Sequence, residues 1–171
     1  MKNFKTLILA AILSTALTPL HAQLPTKKVI TLEIAKHAAE AAEMEANKRH
    51  STVVIVVVDD SGHLLVLNRL DDTQVASVEV GIGKARTAAI FRRPSKDFED
   101  QVKNGRVAAF ALPGATPLQG GIPITLDGKV IGAIGVSGNT PQEDEDIAKA
   151  GAAAAEKLIA ALETKREARR D

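Results

Sequence analysis

The sequence predicts an α+β fold, one mostly antiparallel sheet with helices packed on it. Three observations carry this. Two segments read as β-hairpins, a helical stretch joins them, and no βα unit repeats, which argues against a doubly wound sheet.

The elements follow in chain order. Thr31 to Arg49 is helical, with Ile30, Ile34, His37, Ala41, Met44 and Lys48 at three-four spacing and Thr31 as cap. Thr52 to Val58 is a short β-branched run suited to a strand buried on both faces. Asp59 to His63 is turn chemistry, and Leu64 to Leu67 returns as the second strand. Ser77 to Phe91 reads as a helix in which Gly81 and Gly83 mark close backbone contact. Arg93-Pro94-Ser95 restarts a short helix to about Lys103, and Asn104-Gly105 ends it. Ala111 to Gln119 is a Pro/Gly-rich loop with room for a short strand. Ile122 to Leu126, Asp127-Gly128 and Lys129 to Val136 form the clearest hairpin, since Asp-Gly suits a type I′ turn. Thr140-Pro-Gln-Glu143 is a capping box with Pro at the first helical position, opening an Ala-rich helix to Leu162. Ala152 to Ala155 permit close packing on either the chain's own sheet or a second subunit. Residues 164–171 form a charged, frayed tail.

Residues 1–22 read as a cleaved secretory signal: Lys2 and Lys5, an apolar run from Leu7 to Leu17, Pro19, and a small residue, Ala22, before the cut. The expected location is therefore periplasmic or secreted. The mature domain spans residues 23–163. Length gives one domain. With 22 basic and 21 acidic residues the chain lacks the field of a nucleic-acid binder, and without Trp or Tyr it lacks a base-stacking platform. The absence of Cys excludes disulfides, thiol catalysis and Cys-ligated metals.

Several motifs carry candidate chemistry. Gly81-Ile-Gly83-Lys84 departs from a phosphate loop, because Ala85 follows the lysine. Gly132, Gly135 and Gly138 lie on a strand running into a helix cap. There backbone N–H groups could face an anion, or the glycines simply admit a neighbouring helix. Gly120-Gly121 permits close approach of a ligand, or a tight connection. Lys84, Arg86, Arg92 and Arg93, with Arg69, could hold carboxylates or pair with Glu79, Asp97 and Glu99 on a solvated face. Thr87 could bond its own backbone or a ligand. His37, His50 and His63 show no metal-ligand spacing. His37, on the stripe with Ile34, Ala41 and Met44, is a candidate axial haem ligand or an ordinary packed residue.

Val58-Asp-Asp-Ser-Gly-His-Leu64 with Arg69 and Asp71, Lys84-Ala-Arg-Thr-Ala88, Gly120-Gly-Ile-Pro123, Asp127-Gly128, Gly132-Ala-Ile-Gly-Val-Ser-Gly138 and Asp144 to Ala148 fall in order over Val29 to Leu162. As a set they resemble the GlcG/HbpS family. The resemblance implies a single layered domain with about five antiparallel strands of the profilin/PAS-like type. It also implies a homo-oligomer and haem binding, in some members beside a membrane sensor. Carried over by position, the site wall is Arg69, Lys84, Thr87, Gly120, Gly121 and Ser137, with His37 or Thr87 as the iron's axial ligand. Asp72-Thr73 departs from the family's common Gly-Ala pair. The expected function is an exported haem carrier, scavenger or sensor accessory, a binding protein rather than an enzyme. The alternative is a protein that binds or transforms a small organic acid in the same glycine-lined crevice, with Arg69 and Lys84 on the carboxylate and Asp71 or Glu79 as base.

Overall fold

The computed structural model describes residues 26–169; residues 1–25, which include the expected signal segment, and the last two residues of the tail lie outside them. The element order is α1 (Leu32–Lys48), β1 (Val54–Asp59), β2 (Leu64–Arg69), α2 (Ser77–Phe91), α3 (Lys96–Lys103), a short 3₁₀ helix (Val107–Ala111), β3 (Gly121–Leu126), β4 (Lys129–Ser137) and α4 (Pro141–Glu167). The four strands form an antiparallel sheet in the order β2-β1-β4-β3.

Alternation along β1 separates two cores. Ile55 and Val57 face α1 and α4, where Ile34, Ala38, Ala42, Ile147, Ala148 and Ala155 are buried. Val54, Val56 and Val58 face α2, against Ala85, Ala88 and Ala89. The sheet is thus covered on both faces, which is why β1 is apolar at successive positions. Gly135 of β4 lies under α2, and a Cβ there would collide with the Gly81 carbonyl and the Ala85 amide. Gly81 and Gly135 let helix and sheet approach. Ala152 and Ala155 are buried within the chain, so they pack in its own core.

Local chemistry sets the boundaries. Thr31 Oγ1 accepts the Ile34 N–H at 3.3 Å, and Thr140 Oγ1 accepts the Glu143 N–H at 3.3 Å. Asp127 and Gly128 hold φ of 52° and 72°, the two positive values a type I′ turn needs. Asp59 Oδ1 accepts N–H bonds from Ser61 and His63 and closes the β1–β2 turn. Burial pulls the Asp59 carboxyl up, but those two backbone donors outweigh it and leave it below its ordinary range.

Three expectations change. The sheet has four strands rather than about five, because the 111–119 region forms no strand. Pro113 and Pro117 carry no amide donors, Gly114 holds φ 77°, and the end of the segment is tied elsewhere: Ser95 Oγ donates to Leu118 O at 2.6 Å. The final helix does not fray at Leu162 but runs to Glu167, with Lys165 and Arg166 in its last turn beside the negative end of the dipole. The inward stripe of α1 is Ile34, Ala35, Ala38, Ala39, Ala42 and Ala46. His37 therefore faces outward, and Met44 is 59% exposed rather than core. Five of the six alanines of α1 lie on that stripe, and alanine contrasts too weakly with its neighbours for periodicity alone to fix the inward side.

Candidate functional site

A cleft of about 230 Å³ opens where the end of β4 turns into α4. Its floor and walls come from five places in the chain: Ser77 and Lys84 of α2, Glu99 of α3, Gln119 before β3, Ser137 with Asn139, and Asp144 of α4.

Lys84 points under β4. Its Nζ donates to Asp144 Oδ2 at 2.7 Å and to the Val136 carbonyl at 2.9 Å. The two side chains are only 5% and 3% exposed. Asp144 also accepts the Asn139 N–H at 3.0 Å through Oδ1, and the Gly138 N–H bonds its carboxylate as well. Burial pushes the Asp144 carboxyl above its ordinary range, and Lys84 with the two N–H donors opposes that rise. The capping box begins the helix at Thr140, and the next turn brings Asp144 inward to meet the β4–α4 connection.

The glycine pair belongs to this arrangement. Gly120 holds φ 125°, and a Cβ there would lie 2.7 Å from the Val136 carbonyl and 2.9 Å from Lys84 Nζ. A Cβ on Gly121 would collide with the Lys84 carbonyl. Both glycines let the start of β3 lie against Lys84 and β4, so the close approach they permit is made by the chain itself.

Of the residues singled out from sequence, Lys84 and Ser137 line the cleft, with Gly120 and Gly121 packed behind. Arg69, Thr87 and His37 do not line it. Arg69 is exposed, and its Nη2 donates to Thr73 O at 2.9 Å, pinning the loop after β2. In that loop Asp72 holds φ 61°, a left-handed conformation in which glycine is at ease. Thr87 is fully buried: its hydroxyl donates to Gly83 O at 2.7 Å and accepts the Thr116 N–H at 2.7 Å. It is bound to its own backbone and has no access to a ligand. His37 stands on the solvent face of α1. In the basic cluster, Arg93 lies over the Phe98 ring at 4.3 Å, while Glu99 pairs with Lys103.

Sequence reasoning assigned no role to Ser77 or to the Asp144 side chain, and gave Asn139 only a backbone N–H that could face an anion. An acidic residue near a helix start is ordinary dipole chemistry. Nothing local connects it with a lysine sixty residues earlier. Ser77 is 1% exposed and its hydroxyl has no hydrogen-bond partner among the described residues; only the fold exposes that.

A second hollow, of about 510 Å³, lies at the other end of β4. Lys27, Lys28, Arg92 and Lys129 border it together with Asp60 and Asp127. Lys27 pairs with Asp60, and Lys28 with Asp127 and Glu163, so acids already offset much of its positive charge. Among the described residues no cluster of three or more His, Asp or Glu is placed to hold a metal ion.

Comparison with known proteins places this arrangement. Protein GlcG of Escherichia coli K12 is 44% identical over 112 residues, covering 66% of this chain and 84% of its own. The crystal structure of a double mutant of Streptomyces reticuli HbpS superposes with a TM-score of 0.71 at 34% identity, covering 81% of this chain and 97% of that one. The PduOC:Heme complex superposes with a TM-score of 0.68 at 27% identity, covering 74% of this chain and 95% of that one. The family model described as "Haem degrading protein HbpS-like" matches residues 30–153, and the chain belongs to that HbpS-like family.

Proposed function

We propose that the chain is an exported haem-binding protein, acting as a carrier, a scavenger or an accessory to a membrane sensor. The observation that carries this reading is its likeness to the PduOC:Heme complex over nearly the whole of that chain. Family membership supports it, and the signal-like residues 1–22 supply the export part.

The Lys84 cleft does not fit haem. At about 230 Å³ it falls below the ~300–1,000 Å³ of sites for drug-sized ligands. No imidazole, thioether or phenol lines it, and its one cation is neutralised within the chain. His37 suits the iron-ligand role by a different route, as an imidazole open to solvent on α1 with Met44 two turns along the same helix. An open helix face covers one side of a porphyrin only, so the proposal includes a homo-oligomer in which a second copy covers the other.

Titrating the mature chain with hemin and following the Soret band tests the reading. A saturable shift at defined stoichiometry is expected, with His37→Ala abolishing or moving it. A shift that survives His37→Ala keeps haem and transfers the ligand role to another residue. Absence of any saturable shift overturns haem binding.

A further inference from the structure

We propose that the Lys84 cleft is a second binding site, separate from the haem face, for a small uncharged molecule that presents a carbonyl oxygen to Ser77 and Lys84. Hydrogen-bond accounting around the cleft leads there. Lys84 carries three N–H donors. Two are taken, by Asp144 and by the Val136 carbonyl, and the third has no protein acceptor among the described residues. The Ser77 hydroxyl is shielded from water, borders the same cleft and has no partner. A buried hydroxyl left unpaired is costly, and native proteins seldom retain one without a reason. Ser77 and Lys84 are seven residues apart on α2, two turns along one face, and helical side chains lean toward the N-terminus, which carries the Lys84 amine back toward Ser77. What these two donors lack is an oxygen acceptor.

Charge decides which kind of acceptor. The start of α4 and a lysine would ordinarily invite an anion. Here Asp144 already occupies that place: its carboxylate takes the Lys84 ammonium and the N–H groups of Asn139 and Gly138. The other acid at the cleft, Glu99 of α3, accepts the Gln119 N–H and pairs with Lys103. An incoming carboxylate would meet a neutralised lysine and a like charge beside it. A neutral amide, ketone or aldehyde oxygen meets two unspent donors and no repulsion. The volume limits the ligand to a few heavy atoms. On this reading Lys84 meets a carbonyl oxygen in place of the carboxylate expected from the sequence.

Matched pairs test the proposal: acetamide against acetate, and isobutyramide against isobutyrate, each titrated into the ¹⁵N-labelled mature chain at neutral pH. The amides should saturably shift the backbone resonances of Ser77, Lys84, Ser137 and Asn139, with affinity at least about tenfold above the matched carboxylate. Ser77→Ala should weaken isobutyramide by about tenfold. Because its hydroxyl makes no bond within the fold, Ser77→Ala should keep the wild-type spectrum elsewhere and its hemin titration. The proposal is overturned if neither amide moves those resonances, if the carboxylates bind as well or better, or if Ser77→Ala binds isobutyramide like the wild type. None of these outcomes bears on haem, and failure of the hemin titration leaves the cleft untouched.

Discussion

Two lysine–aspartate pairs sit at opposite ends of β4. Lys28 and Asp127, at its start, are 3.2 Å apart with side chains 45% and 73% exposed. Lys84 and Asp144, at its end, are 2.7 Å apart and almost wholly buried. The chemistry is the same, and the environment sets its consequence. Water screens the first pair and competes for its charges. The second is fixed by the Val136 carbonyl and the β4–α4 amides, where a lone charge has nowhere to go.

The largest expected effect follows from that contrast. Asp144→Ala should lower stability by about 3–5 kcal/mol, because it strands the Lys84 charge. Replacing both members, Lys84→Met with Asp144→Leu, should recover most of the loss. Denaturant unfolding reads both. If Asp144→Ala unfolds at the wild-type midpoint, the pair is not buried as described. Next comes Gly121→Ala, whose Cβ meets the Lys84 backbone; it should cost about 1–3 kcal/mol and push the start of β3 away from α2. Thr140→Ala, which removes the α4 cap, should cost about 1 kcal/mol. Lys28→Ala at the exposed pair should leave the midpoint unmoved; a clear drop would mean that the two ends of β4 are alike.

Acid titration sharpens the same comparison through opposite signs. Asp144 is raised in the folded chain, so between the ordinary carboxylate range and its folded pKa the native state binds more protons than the unfolded one. Its contribution to stability therefore falls as pH rises through that window. Asp59, bonded by turn amides, is lowered: its contribution is present above the unfolded value and is lost as pH falls through the folded one. Stability against pH for Asp144→Asn and Asp59→Asn should each lose the corresponding slope. Slopes of the same sign would contradict the assignment.

Legibility in the sequence tracks distance along the chain. Hairpins, caps and the Asp127-Gly128 turn depend on neighbours, and these were readable. Even the Asp72-Thr73 departure pointed to a real feature, since Asp72 holds a positive φ. The Gly120-Gly121 pair was recognisable as a close approach, but not what it approaches. The inward face of α1 was lost because alanine offers little contrast on a helical wheel, and with it went the placement of His37. Lys84 and Ser137 were named for the site, but the neutralisation of Lys84 by Asp144 depends on how α2, β4 and α4 meet. That meeting gives Lys84 its partner within the chain, sixty residues away.

The two proposed sites put haem and the cleft's ligand in different places. The most direct measurement is a hemin titration of wild type, His37→Ala and Ser77→Ala side by side, read at the Soret band. A saturable shift is expected for wild type and Ser77→Ala with equal affinity, and its loss or displacement in His37→Ala. A Soret shift abolished by Ser77→Ala and untouched by His37→Ala would put haem in the Lys84 cleft and contradict it.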